Sequence, residues 1–189
     1  LTLPMKRESP LLKDGELSAT EMEMEAWETF VSEVGGFSAA FPGTPTETIE
    51  KASREEGETL DETIVNSGDS GEISFEREEL NSIYFVVYQN FPIVEALGQF
   101  LSEEEVVAEI LAGAVGGIAE DNEILSEREI ELDGYQGKEV EVQMPEGYLK
   151  TRIYLVNTRL YIVMGGALTQ EEAISGGVNR FLDSFTLLE

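Results

Sequence analysis

The chain has 189 residues, 41% of them hydrophobic, and its 39 acids against 12 bases give a formal net charge of −27 at pH 7. That apolar content suits one core of moderate size, while the charge excludes nucleic acid and anionic lipid as partners, because their phosphates are repelled. Neither Cys nor His occurs, which removes disulfides, thiolate zinc sites, imidazole general bases and every triad built on histidine.

Residues 1–24 mix Pro, Lys, Glu and Ser with scattered Leu and end in the acidic run Glu21-Met22-Glu23-Met24. This composition reads as a flexible acidic leader, followed by a single folded domain over residues 25–189. No run approaches the roughly eighteen apolar residues that span a bilayer, and the start LTLPMKRESP lacks a signal-peptide core. With Leu1 in first place, an export signal or lipid-anchored segment is expected to have preceded it.

Trp27 to Ser32 and Phe37 to Phe41 read as two short strands joined at Gly35-Gly36. Pro42-Gly43-Thr44-Pro45 then ends the pairing, because proline lacks the amide donor. A polar strand at an edge is expected from about Thr46 to Ala52, followed by a glycine-punctuated excursion over residues 53–71. Alternation returns at Glu72–Arg77, and the β-branched and aromatic run Ile83–Tyr88 predicts a strand buried on both faces.

Ser102-Glu103-Glu104-Glu105 has the spacing of a capping box, and a helix is predicted after it. Val106, Val107, Ile110, Leu111, Ala114, Val115 and Ile118 give that helix an apolar stripe. Strands are expected at Glu123–Leu132 and Gly137–Met144 around an Asp133-Gly134 turn. In the second of these, Val140 and Val142 alternate with Glu139, Glu141 and Gln143, which predicts a wet face.

The centre of the domain is predicted to be a hairpin over Tyr148–Gly166 that turns at Asn157-Thr158. Symmetric counting from the turn pairs Leu155 with Leu160, Tyr154 with Tyr161 and Ile153 with Ile162. A second capping box at Thr169–Glu172 opens a helix carrying Ala173, Ile174, Val178, Phe181, Leu182 and Phe185. Gly176-Gly177 inside it predicts a close approach or a bend.

Together, Trp27…Gly35-Gly36-Phe37…Phe41-Pro42-Gly43-Thr44-Pro45, the mid-chain helix, the meander with Gly134-Tyr135-Gln136-Gly137, the Arg152–Met164 hairpin and the closing Arg180-Phe181-Leu182-Asp183-Ser184-Phe185 resemble the PsbP-like superfamily. The resemblance covers residues 27–187 in element order. It implies an α+β fold, a central antiparallel sheet with helices on its faces in an α/β/α sandwich. It also implies an accessory or binding role outside the cytoplasm, in a periplasm, a thylakoid lumen or at an envelope. No active-site residue carries over, since the matched positions are turn and core residues, and the missing His argues against a histidine-containing metal site.

The residues themselves leave three functional classes. The first is a non-enzymatic module that engages a basic protein partner through one-signed surfaces, favoured because no base occurs from Asp14 to Glu50 or from Glu78 to Glu127. The second is calcium binding, which needs oxygen ligands alone. Its candidates are Asp69 and Glu72 in one acidic segment and Glu120, Asp121 and Glu123 in another, neither with the EF-hand pattern. The third is a carboxylate-based hydrolase using a pair such as Glu139 and Glu141, for which a solvated face is the simpler account.

Overall fold

The computed structural model describes residues 27–50, 70–77, 82–91, 94, 97–120, 122–173 and 176–188. Its strands are β1 (Glu28–Ser32), β2 (Phe37–Phe41), β3 (Thr46–Glu50), β4 (Ser70–Arg77), β5 (Ser82–Asn90), β6 (Glu123–Leu132), β7 (Tyr135–Met144), β8 (Gly147–Val156), β9 (Arg159–Ala167) and β10 (Thr186–Leu187). The helices are α1 (Glu103–Ala119), α2 (Gln170–Ala173) and α3 (Gly176–Ser184). The expected leader and most of the expected excursion, with Asp69 and Asp121, lie outside the described residues.

Seven strands form an antiparallel sheet in the order β3-β4-β5-β9-β8-β7-β6, and β1, β2 and β10 form a second sheet. The β8–β9 hairpin lies inside the large sheet and has the register counted from the sequence: Leu155 opposite Leu160, Tyr154 opposite Tyr161 and Ile153 opposite Ile162. Its turn is sharp because Asn157 takes φ 54°, a left-handed conformation that Asn tolerates better than most residues. β6 and β7 turn through Asp133 and Gly134, both at positive φ (51° and 87°), as a two-residue hairpin loop with the strand twist requires.

One face of the large sheet carries α3 and the small sheet. Here Phe37, Phe41 and Phe181 are fully buried against Tyr84, Val86 and Val163, and each buried aromatic contributes about 2–3 kcal/mol of transfer free energy. Phe185 stacks on Tyr154, with centroids 6.1 Å apart and rings 3° from parallel. The turn between β1 and β2 is clamped to β9: Tyr161 Oη donates to the Gly35 carbonyl at 2.7 Å, and Arg159 Nη1 donates to the same oxygen at 2.8 Å. The other face carries α1, whose buried Leu111 and Val115 pack on Val140, Val142, Ile153, Leu155 and Leu160.

α1 begins as expected. The Ser102 hydroxyl accepts from the Glu105 amide, and the Glu105 carboxylate accepts from the Ser102 amide at 2.9 Å. Those hydrogen bonds lower the Glu105 pKa, and first-turn acids also complement the helix dipole.

Three expectations change. Ile83–Tyr88 is not buried equally on both faces: Tyr84, Val86 and Tyr88 are fully buried, while Ile83, Phe85 and Val87 are half-buried. The reason is that α1 packs over β7 and β8 rather than over β5. Ser70 and Gly71, expected in the excursion, belong to β4; Gly71 leaves room for the Tyr88 ring, which an added Cβ would strike.

The third concerns the closing helix. The expected single helix is two, α2 and α3, and Gly176 opens α3 instead of lying inside a helix; a Cβ there would meet nothing within 4 Å. The close approach falls on the strand beneath, where a Cβ on buried Gly165 of β9 would sit 2.6 Å from Val178 Cγ1 of α3. The two-residue β10, which pairs with Phe37 and Ser38, has no counterpart in the sequence reading.

Because Val178 is β-branched and 1% exposed, it has little freedom to yield. Gly165→Ala is expected to cost about 1–3 kcal/mol in chemical denaturation. Adding Val178→Ala should recover part of that loss, and a strictly additive double mutant would show that the two positions do not collide.

Candidate binding cleft

The sheet carries an unusual charge at β7. Glu139, predicted to be solvated, is 4% exposed. Directly opposite it lie Arg128 of β6 and Arg152 of β8. Arg152 Nε donates to Oε2 at 2.7 Å, Arg128 Nε donates to Oε1 at 2.8 Å, and Lys150 Nζ lies 3.3 Å from Oε1. Arg152 also reaches Asp183 of α3 at 2.7 Å.

Burial by itself would raise the Glu139 pKa, but the hydrogen bonds from Arg152 and Arg128 and the charge of Lys150 outweigh it. The net result is a pKa below the ordinary 4.5. An ionised, fully engaged carboxylate is the opposite of what a glycosidase acid requires, since that role needs a raised pKa. Glu139 is thus held as a structural charge among three cations. Glu141 itself takes the second contact of Lys150, at 3.4 Å.

Arg128 and Glu139 lie on the α3 side of the sheet, with Ile130 and Leu132; their immediate sequence neighbours point the other way. On that side β6 presents Glu127, Glu129 and Glu131 at alternate positions, opposite Val140, Lys138 and Gln136 of β7. Lys138 Nζ binds Glu127 Oε1 at 2.8 Å, a hydrogen bond that raises the lysine pKa. α1 does not extend over β6. A cleft of about 1040 Å³ opens between the helix and the β6–β7 ribbon.

Its helix side is lined by Ala108, Leu111, Ala112, Val115, Gly116 and Ala119. Its strand side carries Ile124, Glu127, Glu129, Glu131 and Lys138, and Glu104 closes the end nearest the α1 N-terminus. The cleft thus has an apolar, small-residue wall and a strongly acidic one, with Lys138 already held by Glu127. A smaller cavity of about 310 Å³ adjoins it around Glu104, Tyr135, Gln136 and Asn157.

Of the calcium candidates, Glu72, Glu120 and Glu123 are among the described residues. Glu72 is an exposed residue of β4 beside Thr48 and Val87. Glu120 caps the C-terminus of α1, and Glu123 opens β6. Among the described residues no three carboxylates form a group able to hold a metal ion. No helix among them is long and apolar enough to cross a membrane. The sequence reading passed over the cleft glutamates, whose signal was the alternation Glu127-Arg128-Glu129-Ile130-Glu131.

No family model and no curated protein matches the chain. Among solved structures it is similar to the solution structure of cyanobacterial PsbP from Synechocystis sp. PCC 6803, with 12% identity and a TM-score of 0.49 over 95% of this chain and 99% of that one. The likeness is one of fold.

Glu139→Gln removes the one negative charge shared by Arg128, Lys150 and Arg152. It is expected to cost about 3–5 kcal/mol at neutral pH. The folded pKa is depressed, so the contribution of Glu139 is present above its ordinary 4.5 and is lost as pH falls through the lower folded value. Denaturation curves at about pH 7 and about pH 3 should show the wild-type advantage shrinking in acid; an unchanged gap would refute the charge network as its source.

Proposed function

We propose that this chain is a non-enzymatic accessory or binding module that acts outside the cytoplasm and engages a basic protein partner through its acidic surfaces. The observation that supports the reading is the α1–β6 cleft, where an apolar wall faces Glu127, Glu129 and Glu131. Apolar area supplies attraction once water is expelled, and rows of like charge favour a partner of opposite sign. No basic residue lies on α1, so this wall offers an acidic partner nothing. The extracytoplasmic location follows the sequence resemblance to the PsbP-like superfamily.

Affinity capture from the native source tests this role. One partner, enriched in basic segments, is expected to be retained at low salt and released at high salt, because exposed charges are screened within about 10 Å at 0.1 M ionic strength. Retention that is indifferent to salt, or no specific retention at all, would contradict it.

A further inference from the structure

Resting on that binding-module reading, we propose that the α1–β6 cleft receives a basic amphipathic helix of the partner, laid alongside α1 on the sheet. The location of the cleft decides the conformation of its occupant. Sheet hydrogen bonds run in the plane of the strands, between neighbours about 4.8 Å apart. A segment lying on the face of the sheet finds no such partners, so its buried amides and carbonyls must be satisfied within the segment itself. A helix does this and an extended chain does not.

Size agrees. α1 packs over β7 and β8, and among the described residues no other element covers β6 and the outer side of β7 on this face. Two strand spacings are about 10 Å, close to the 10–12 Å diameter of a helix with its side chains. The cleft follows α1 from Glu104 to Ala119, a length of about 23 Å at 1.5 Å per residue. That corresponds to an occupant of about four turns.

Chemistry sets the sequence character of that helix. Ala108, Ala112, Gly116 and Ala119 stand at helical spacing on the open side of α1, away from the core-facing Val106 and the buried side of Leu111. Small residues allow a neighbouring helix to approach to the short end of the 8–10 Å packing range. The occupant therefore turns an apolar stripe towards α1. Its opposite flank meets Glu127, Glu129 and Glu131, spaced about 7 Å apart along β6, which places Lys or Arg there at i, i+4 and i+8, with about 6 Å of rise between them.

The probe is a synthetic sixteen-residue helix of Ala, Leu and Lys with the Lys on one flank, compared with a scrambled peptide of the same composition. Fluorescence anisotropy at low salt is expected to show the amphipathic helix binding the whole protein at least tenfold more tightly than the scrambled one. Amide shift changes should fall on α1 and β6. Ala112→Gln and Gly116→Gln, both at exposed positions, crowd the apolar wall without altering charge and are expected to weaken binding at least tenfold.

Equal binding of the two peptides would overturn the proposal, as would wild-type affinity in the two Gln variants or shift changes away from α1 and β6. If those results came while the native partner was still captured at low salt, the binding-module reading would survive and only the cleft assignment would fail.

Discussion

A carboxylate at 4% exposure is tolerable only where cations surround it, and Glu139 is held by side chains from both neighbouring strands. That requirement fixes β6, β7 and β8 in one register, since a one-residue slip would turn Arg128 and Arg152 to the opposite face and strand the charge. Among the described elements no helix lies over β6; beside its ladder with β7 and the packing of Ile130 and Leu132 on the core, it is tied by this network on one face and by the Lys138–Glu127 bond on the other.

The large sheet divides its labour along one row of paired residues. Ile73, Val86 and Val163 are opposite one another on β4, β5 and β9, and the same row continues as Arg152, Glu139 and Arg128 on β8, β7 and β6. Half of the row is hydrophobic core beneath α3 and the small sheet; the other half is an ion network. The β8–β9 hairpin stands at the change, which is why its Arg152 face is amphipathic. Tyr154 and Val163 enter the aromatic core while Arg152 bridges Glu139 and Asp183.

Much of this was legible in the sequence because it depends on short-range rules. Period-two alternation and turn residues placed the hairpins and the register of β8 with β9, and Ser102 with Glu105 placed the start of α1. The antiparallel sheet with helices on its faces was what the PsbP-like resemblance implied. Glu139 was misread because alternation alone treats every charged residue as solvated. Its partners Arg128 and Arg152 are 11 and 13 residues away and meet it only after pairing. The cleft was hidden for a similar reason: the stripe of α1 says which side faces a core, but not over which strands that core lies. Gly165 gave no local signal either, since its crowding comes from Val178 on a later helix.

β6 is the last described strand of the large sheet, and among the described residues its outer backbone donors and acceptors pair with no strand, the kind of edge along which copies of a chain zip into cross-β aggregates. Two copies meeting rim to rim in antiparallel fashion about Glu129 would set Glu127 against Glu131 and Glu129 against itself, and the bulge between Ile124 and Ser126 interrupts the ladder near its start. Like charges opposed in this way repel, so β6 acts as a gatekeeper that keeps an exposed sheet margin from seeding fibrils.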